Sequence, residues 1–231
     1  MQGVKMPRCA LALEAEEESG SPNLLNLLDL AKGFIGKPDF MLCMDSGAFD
    51  YNRLWVTSSL RGICIIDVTI SAAKGGFHSG LVGGIVPETF RVFREILDRI
   101  DDSKTGNVCP ELHTEVPEWA HKEAERMAEL GGVSLYSDFP VEDGVKYMHQ
   151  DDLKEMYLSY TWRPNLSITG ASGLPAIASA GNVLRPSTTL RLSLRLPPNA
   201  DPHEKQEILL KKISENVPYD CKISIKGGHT G

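Results

Sequence analysis

The chain has 231 residues, and its 24 Lys and Arg against 31 Asp and Glu give a net charge of −7. Hydrophobic residues make up 42% of the chain and charged residues 24%, which is typical of a soluble globular protein and excludes a disordered or collagen-like one. No apolar run in the sequence is long enough to cross a bilayer. Because an acidic protein attracts neither phosphate backbones nor anionic lipid, we expect no nucleic-acid partner and no membrane association.

The first part of the chain has the pattern of a strand, a helix and a second strand. One short apolar run spans Pro7 to Leu13, and another spans Phe40 to Met44. Between them we expect a helix with Ser21 as its N-cap and Pro22 as its first residue. Gly33 is expected to end this helix. We therefore expect a βαβ unit whose two strands are parallel.

After Arg61-Gly62 the pattern changes to strands with one solvated face. Apolar and polar residues alternate in four segments, as they do in antiparallel sheets that face water on one side. These segments are Ile63 to Ala72, Leu166 to Ile168, Leu190 to Leu196 and Cys221 to Lys226. With a helix after the first strand and another before the last, the order is that of a ferredoxin-like, split βαβ sandwich.

The two helices of this region are expected to be amphipathic, and Pro87 and Asp201 mark their starts. The residues expected on their buried faces are Phe90, Phe93, Leu97 and Ile100 in the first helix, and Ile208, Leu209 and Ile213 in the second. An insert at about 105–163 interrupts the pattern. It contains a third expected helix, from Pro117 to Leu130, which Gly131-Gly132 ends.

Carboxylates follow both expected strands of the first part. The acidic run Glu16 to Glu18 follows the first strand, and Asp45 follows the second. In an open α/β sheet this edge is where ligands bind, and carboxylates gathered there need a cation or a shared proton. A divalent metal site is therefore one interpretation. The other is a solvated acidic loop at a helix N-terminus, where negative charge is favourable.

Three other residues are candidates for substrate recognition. His78 lies in a glycine-rich segment, from which a histidine can donate to a substrate oxygen, although such glycines can also mark only a turn. Arg191 and Arg195 share one face of a strand, where an arginine can grip a carboxylate with two hydrogen bonds. The alternative is that both arginines only keep that face solvated.

The five cysteines are far apart and include no C-x-x-C pair. Such a set excludes a thiolate zinc knuckle and is typical of a reducing compartment. We therefore expect a cytoplasmic protein. The sequence shows no secretion signal. A targeting signal upstream of this segment is compatible with a missing N-terminus.

Several short motifs follow one another in chain order. They are Glu17-Glu18-Ser19-Gly20-Ser21, Met44-Asp45, Ser59-Leu60-Arg61-Gly62, His78-Ser79-Gly80 with Gly83-Gly84, Asn182-Val183-Leu184 and Ser193-Leu194-Arg195-Leu196. Together they resemble the motifs of the two-zinc aminoacylase and carboxypeptidase superfamily of metallopeptidases. The resemblance is greatest to its dipeptidase branch, the carnosinase and cytosolic nonspecific dipeptidase group, and it covers nearly the whole chain.

This resemblance implies a role for each matching residue. Glu17 would be the general base that takes a proton from the attacking water, while Glu18 and Asp45 would each ligate one of two divalent ions, zinc or alternatively manganese. His78 would reach into the partner subunit's site and stabilise the oxyanion. Arg195, with help from Asn182, would bind the free carboxylate of the substrate, which would make the enzyme an exopeptidase.

The resemblance also implies a fold and an assembly. Residues 1–61 would be part of a parallel-sheet zinc-peptidase catalytic domain, and residues 62–229 would be a ferredoxin-like lid through which the protein forms a homodimer. Further metal ligands of the family have no counterpart in this chain, because His149-Gln150-Asp151 and His229 stand at the wrong places. We therefore expect a fragment that lacks both ends of a longer enzyme and is inactive alone.

Three functions remain open at this point. The first is a metal-dependent dipeptidase or exopeptidase acting on small peptides with a free C-terminal carboxylate. The second is an N-acyl amino acid deacylase of the same superfamily, since the amide attacked and the carboxylate gripped are the same kinds of group. The third, for the isolated chain, is a dimerisation module without catalysis.

Overall fold

The computed structural model describes residues 5–45, 47–132 and 139–231. The chain divides into two compact units, Met1–Ala48 and Phe49–Gly231. The second unit contains a four-stranded sheet covered by helices, so that the protein is of the α/β class. Among the described residues, no helix combines the length and the apolar character that crossing a membrane requires.

The described residues of the first unit form one α-helix, α1 (Leu24–Ile35), preceded by a short 3₁₀ turn at Glu17–Ser19. The helix begins later than the sequence predicts, because Ser21 has a positive φ of 51° and Asn23 is the N-cap. It also ends later. Gly33 lies inside the helix, and Gly36, whose φ is 75°, is the residue that ends it.

The two strands predicted for the first unit are not formed: residues 5–45 contain no strand. The apolar side chains of both segments are exposed, for example Leu13 at 89% and Met41 at 83%. A strand is held by hydrogen bonds to a neighbouring strand, and the described part of this unit offers none. An apolar run is therefore insufficient here, because strand formation depends on a partner.

The described residues of the second unit form six strands. They are β1 (Gly62–Ser71), β2 (Phe77–His78), β3 (Asn165–Ser172), β4 (Val183–Leu184), β5 (Ser187–Leu196) and β6 (Lys222–Thr230). The long strands form one sheet in the order β3-β5-β1-β6, and every neighbouring pair is antiparallel. The two-residue strands β2 and β4 pair separately. The four segments predicted from alternation are thus confirmed as strands.

The unit also contains five α-helices in its described residues. They are α2 (Ser79–Val82), α3 (Thr89–Leu97), α4 (Glu118–Gly131), α5 (Leu153–Thr161) and α6 (Pro202–Ser214). The main core is formed by α3 and α6 together with the inward residues of β1 and β5. Its side chains with no more than 1% exposure include Ile66, Ile70, Phe93, Ile96, Leu192, Leu194, Leu209 and Ile213.

The helix starts agree with their capping residues. The Asp201 side chain accepts hydrogen bonds from the backbone N–H groups of His203 (2.9 Å) and Glu204 (3.2 Å), which confirms the predicted cap of α6. Phe93 and Ile100 are buried as predicted, but Phe90 is wrongly placed by the sequence pattern. Its side chain is 36% exposed, because the buried face of α3 runs through Val92 instead.

The insert forms a second, smaller core between α4 and α5. The predicted helix α4 is confirmed, with Gly132 as its C-cap. The Trp119 ring meets the Trp162 ring edge-on, with 5.4 Å between centroids. Helix α5 was not predicted, because only Tyr157 and Leu158 of its nine residues are buried and its apolar periodicity is correspondingly weak.

Candidate metal and substrate site

The acidic residues of the first unit lie on the 3₁₀ turn that precedes α1. Gly20 ends this turn with a φ of 84°, and its N–H donates to the Glu17 carbonyl at 2.8 Å. The Glu16 carboxylate accepts from the Asn23 side chain at 2.8 Å, which ties the turn to the start of α1. The side chains of Glu17 and Glu18 are left exposed.

The structure brings Glu18 and Asp45 within electrostatic range of Glu17. The negative charge of Asp45, followed by that of Glu18, raises the pKa of the Glu17 carboxyl above its usual value, with smaller contributions from desolvation and Glu14. A raised pKa means that the neighbouring charges disfavour the ionised carboxylate. A cation bound beside Glu17 would offset this repulsion.

The described residues do not complete a metal site. Carboxylate oxygens suit a hard or borderline divalent cation, so the chemistry of the donors is appropriate. However, no three His, Cys, Asp or Glu side chains in the described ranges come together closely enough to hold an ion.

His78 and Asn182 lie side by side at the paired strands β2 and β4. His78 is opposite Val183 in the ladder, and the N–H of Ser79 donates to the Asn182 carbonyl at 2.9 Å. The exposed His78 ring caps α2, since its Nδ1 accepts from the Gly80 N–H at 3.1 Å. In the neutral ring the proton is therefore on Nε2, which is left as a hydrogen-bond donor.

Arg195 lies at the other end of β5 from this pair. Leu184 is three residues before Ser187, where β5 begins, whereas Arg195 is the last residue but one of the strand. Eight steps of about 3.3 Å put about 26 Å between Ser187 and Arg195 along the strand. The strand pairing thus places Asn182 next to His78, whereas Arg195 lies near the far end of β5.

The two arginines of the β5 face differ in their surroundings. Arg191 donates two hydrogen bonds to the Asp67 carboxylate across the sheet, at 2.7 and 2.8 Å. This pairing lowers the pKa of Asp67 and raises that of Arg191, mainly through the hydrogen bonds themselves. Arg191 is therefore occupied, and Arg195, which is exposed, is the arginine of this strand that is free to bind a substrate anion.

A further arginine, Arg61, was not predicted as a functional residue. It is half-buried, and its pKa is lowered first by burial and then by the positive charge of Arg195. Arg61 also lines a cleft of the second unit together with His149. The sequence places Arg61 in the motif Ser59-Leu60-Arg61-Gly62, just before a strand, but assigns it no role; its proximity to Arg195 depends on tertiary structure.

The chain was compared with family models, curated proteins and solved structures. No family model matches. The Cys-Gly metallodipeptidase dug1 of Schizosaccharomyces pombe is 25% identical over 249 aligned positions, which cover 99% of this chain and 49% of that protein. The Beta-Ala-His dipeptidase of Homo sapiens is 28% identical over 216 positions, covering 88% of this chain and 42% of its own length.

Two solved structures share the fold. Human carnosine dipeptidase 1 superposes with a TM-score of 0.61 at 23% identity, covering 93% of this chain and 46% of that one. The M20 family metallo-carboxypeptidase Sso-CP2 from Sulfolobus solfataricus gives a TM-score of 0.67 at 18% identity, covering 94% and 48%. The comparisons confirm the resemblance to this metallopeptidase superfamily and its dipeptidase branch. The chain spans about half the length of the curated relatives it matches.

Proposed function

We propose that the chain is part of a metal-dependent dipeptidase that hydrolyses small peptides with a free C-terminal carboxylate. The observation that carries this proposal is the proximity of Asp45 and Glu18 to Glu17, whose pKa their negative charges raise. These residues are the ones that the resemblance assigns to metal chemistry. The curated relatives support the reaction, since their names include Cys-Gly metallodipeptidase and Beta-Ala-His dipeptidase.

In this proposal Glu18 and Asp45 each hold one of two divalent ions, zinc or manganese. Such ions, when bound, supply Lewis-acid polarisation of the amide carbonyl. Within residues 5–45, 47–132 and 139–231 the donors are too few for either ion, so we place the remaining ligands outside these 231 residues. Glu17 is the general base: its carboxylate accepts the proton of the attacking water and later returns it to the leaving amine.

His78 and Arg195 act on the substrate from two different copies of the chain. A dipeptide spans about 7 Å, whereas Ser187 and Arg195, near the two ends of β5, lie about 26 Å apart along the strand. Since His78 pairs with Val183, just before the Ser187 end, we assign His78 and Arg195 of one copy to different dipeptides. We assign to His78 the donation of its Nε2–H to the oxyanion in the partner's site, with Asn182 beside it, while Arg195 grips the substrate carboxylate of its own site.

An exposed apolar surface surrounds His78 and supports this homodimer. Leu81 is 76% exposed, Ile85 79%, Phe77 43% and Val183 41%. Apolar side chains grouped in this way mark an interaction surface. The occupant that we propose is a second copy of the chain, because the same surface has to carry His78 into a second site.

We also propose the domain organisation of the whole enzyme. Residues 62–229 form a ferredoxin-like lid, which the strand order β3-β5-β1-β6 and the helices α3 and α6 support. Residues 1–61 belong to a parallel-sheet catalytic domain in which the exposed apolar runs gain neighbouring strands. The enzyme is placed in the cytoplasm, a reducing compartment, and the free thiols of Cys9 and Cys43, both exposed, support this.

A complementation assay in the complete polypeptide tests the shared site. The variants His78→Ala and Arg195→Gln are each expected to hydrolyse Cys-Gly and β-Ala-His poorly with zinc or manganese present. After co-refolding, a mixed dimer contains one site with both residues intact, so about a quarter of the native activity returns if dimers form at random. Absence of any recovery, with dimers present, would contradict the two-copy site. N-acetyl amino acids serve as the comparison substrates, and preference for them would indicate a deacylase.

A further inference from the structure

A second candidate binding site lies entirely within the second unit, between the insert and the end of the sheet that carries Arg61. It is a cleft of about 670 Å³, a volume within the range of small-molecule sites. Helix α5 contributes one wall, and the segment around Val108 contributes the other. None of its lining residues belongs to those assigned above to catalysis.

One part of the cleft is aromatic and apolar. The rings of Phe139 and Tyr160 lie with 6.0 Å between centroids, and these two residues are 52% and 51% exposed. The thioethers of Met148 and Met156 lie on the same cleft lining. Flat apolar groups bind favourably against aromatic rings and the polarisable sulfur of methionine.

The charged residues of the cleft leave one cation without a counter-ion among the described residues. Glu155 is the lining acid, and Arg163 already holds its carboxylate with hydrogen bonds of 2.9 and 3.2 Å. Arg61 instead donates from Nη1 to two neutral carbonyls, those of Ser159 at 3.1 Å and Arg163 at 3.4 Å. Its Nε and Nη2 groups have no acceptor in the described part of the chain.

The positive charge of Arg195 makes the uncompensated charge of Arg61 more unfavourable when no anion is bound. Arg195 is near enough for its charge to act on Arg61, and burial acts in the same direction, whereas Tyr160 has a smaller, opposite effect. Withdrawing a charge from water costs free energy unless an opposite charge compensates it. A half-buried guanidinium with a second cation nearby is therefore a site that an anion stabilises.

We propose that this cleft binds an organic carboxylate that carries a flat apolar group. The carboxylate accepts two parallel hydrogen bonds from the unused N–H groups of Arg61, a geometry that suits the planar guanidinium. The apolar group lies against Phe139 and Tyr160. This inference does not rest on the peptidase function, because the site involves neither metal nor the acidic group of the first unit.

The test uses the 231-residue protein labelled with ¹³C at its methionine methyl groups. Benzoate is the probe, benzamide is its neutral counterpart, and phenyl phosphate represents the other anion that a guanidinium binds. Benzoate is expected to move the methyl signals of Met148 and Met156, while those of Met6, Met41 and Met44 stay in place. Benzamide is expected to move none of them.

Two variants and a control variant test whether benzoate binds in the cleft. Arg61→Gln is expected to weaken benzoate binding at least about tenfold, as the loss of a charge-assisted hydrogen bond does. Arg191→Gln removes the same charge from the exposed ion pair with Asp67 and is expected to leave benzoate binding unchanged. If Arg61→Gln fails to fold, Tyr160→Ala, which removes an exposed ring of the cleft, is the variant to measure. Weaker benzoate binding by Tyr160→Ala would support the proposal, and unchanged binding would overturn it.

Other results overturn the proposal directly. Equal shifts with benzamide would show that charge is not recognised. Binding of phenyl phosphate without binding of benzoate would refute the carboxylate assignment. Benzoate shifts confined to Met6, Met41 and Met44 would place the site elsewhere. Because the readout needs no hydrolysis, an inactive enzyme would leave this result unaffected.

Discussion

Replacing Leu194 by alanine tests where the hydrophobic core of the second unit lies. Leu194 is in the middle of the sheet, on β5, and its side chain is 0% exposed. The substitution removes three buried carbons, which at about 0.8 kcal/mol each costs about 2.4 kcal/mol in transfer free energy. The cavity left behind adds to this, so the free energy of unfolding is expected to fall by about 3–5 kcal/mol.

Leu54→Ala is the matched control, since it makes the same chemical change at a residue that is 91% exposed. We expect it to alter stability by no more than about 0.5 kcal/mol. Urea unfolding followed by tryptophan fluorescence measures both, because Trp55, Trp119 and Trp162 are the three tryptophans of the chain and all belong to the second unit. Circular dichroism provides the second probe. Equal losses in the two variants, or a loss below about 1 kcal/mol for Leu194→Ala, would refute this account of the core.

Three further changes test the packing, the electrostatics and the assembly. Gly131→Ala would place a methyl group against Phe49 Cζ and the Tyr157 hydroxyl, so it should destabilise by about 1–3 kcal/mol in a thermal melt. Gly75→Ala, with open space around it, should not. The Arg191 hydrogen bonds hold the pKa of Asp67 below its usual value; their stabilisation is therefore present above about pH 4 and is lost as pH falls through the lowered pKa. Urea midpoints at neutral and strongly acidic pH should accordingly differ less in Asp67→Asn than in the native protein, and an equal difference would count against the ion pair. Leu81→Asp should convert dimers to monomers in light scattering while Leu54→Asp does not; persistence of the dimer would remove Leu81 from the interface.

The elements predicted correctly are those whose sequence pattern reflects a local environment. The alternation in Ile63 to Ala72 and Leu190 to Leu196 arises because each strand has a buried and a solvated face, and both became strands of the sheet. The cap at Asp201 is likewise a local interaction. Such features are encoded within a few neighbouring residues and can be inferred from them.

The errors occur where structure depends on distant residues. Phe40 to Met44 has the composition of a buried strand, but a strand needs a neighbour, and the described residues of the first unit do not provide one. Arg61 could not be recognised because its significance comes from Arg195, which is far away in sequence. The position of Asn182 beside His78 depends on two strands of only two residues each, which are too short to show a pattern.

The candidate site was predicted in part for the same reason. Glu17 and Glu18 are adjacent in sequence, whereas the approach of Asp45 followed from an expected parallel sheet that the described residues do not form. The charge of Asp45 nevertheless acts on Glu17. The turn geometry at Gly20 and the hydrogen bond between Glu16 and Asn23 position Glu17 and Glu18 without the sheet.

Hydrolysis of a dipeptide by the Glu17 variant tests the central claim most directly. The complete polypeptide that carries this segment is assayed with Cys-Gly and β-Ala-His in the presence of zinc or manganese, and Glu14→Gln, at another exposed acid of the same region, is the control. Removal of a general base is expected to lower kcat by about 10²–10⁴ in Glu17→Gln, with little change in Glu14→Gln. Full activity in Glu17→Gln, or no metal-dependent hydrolysis by the native enzyme, would contradict the account.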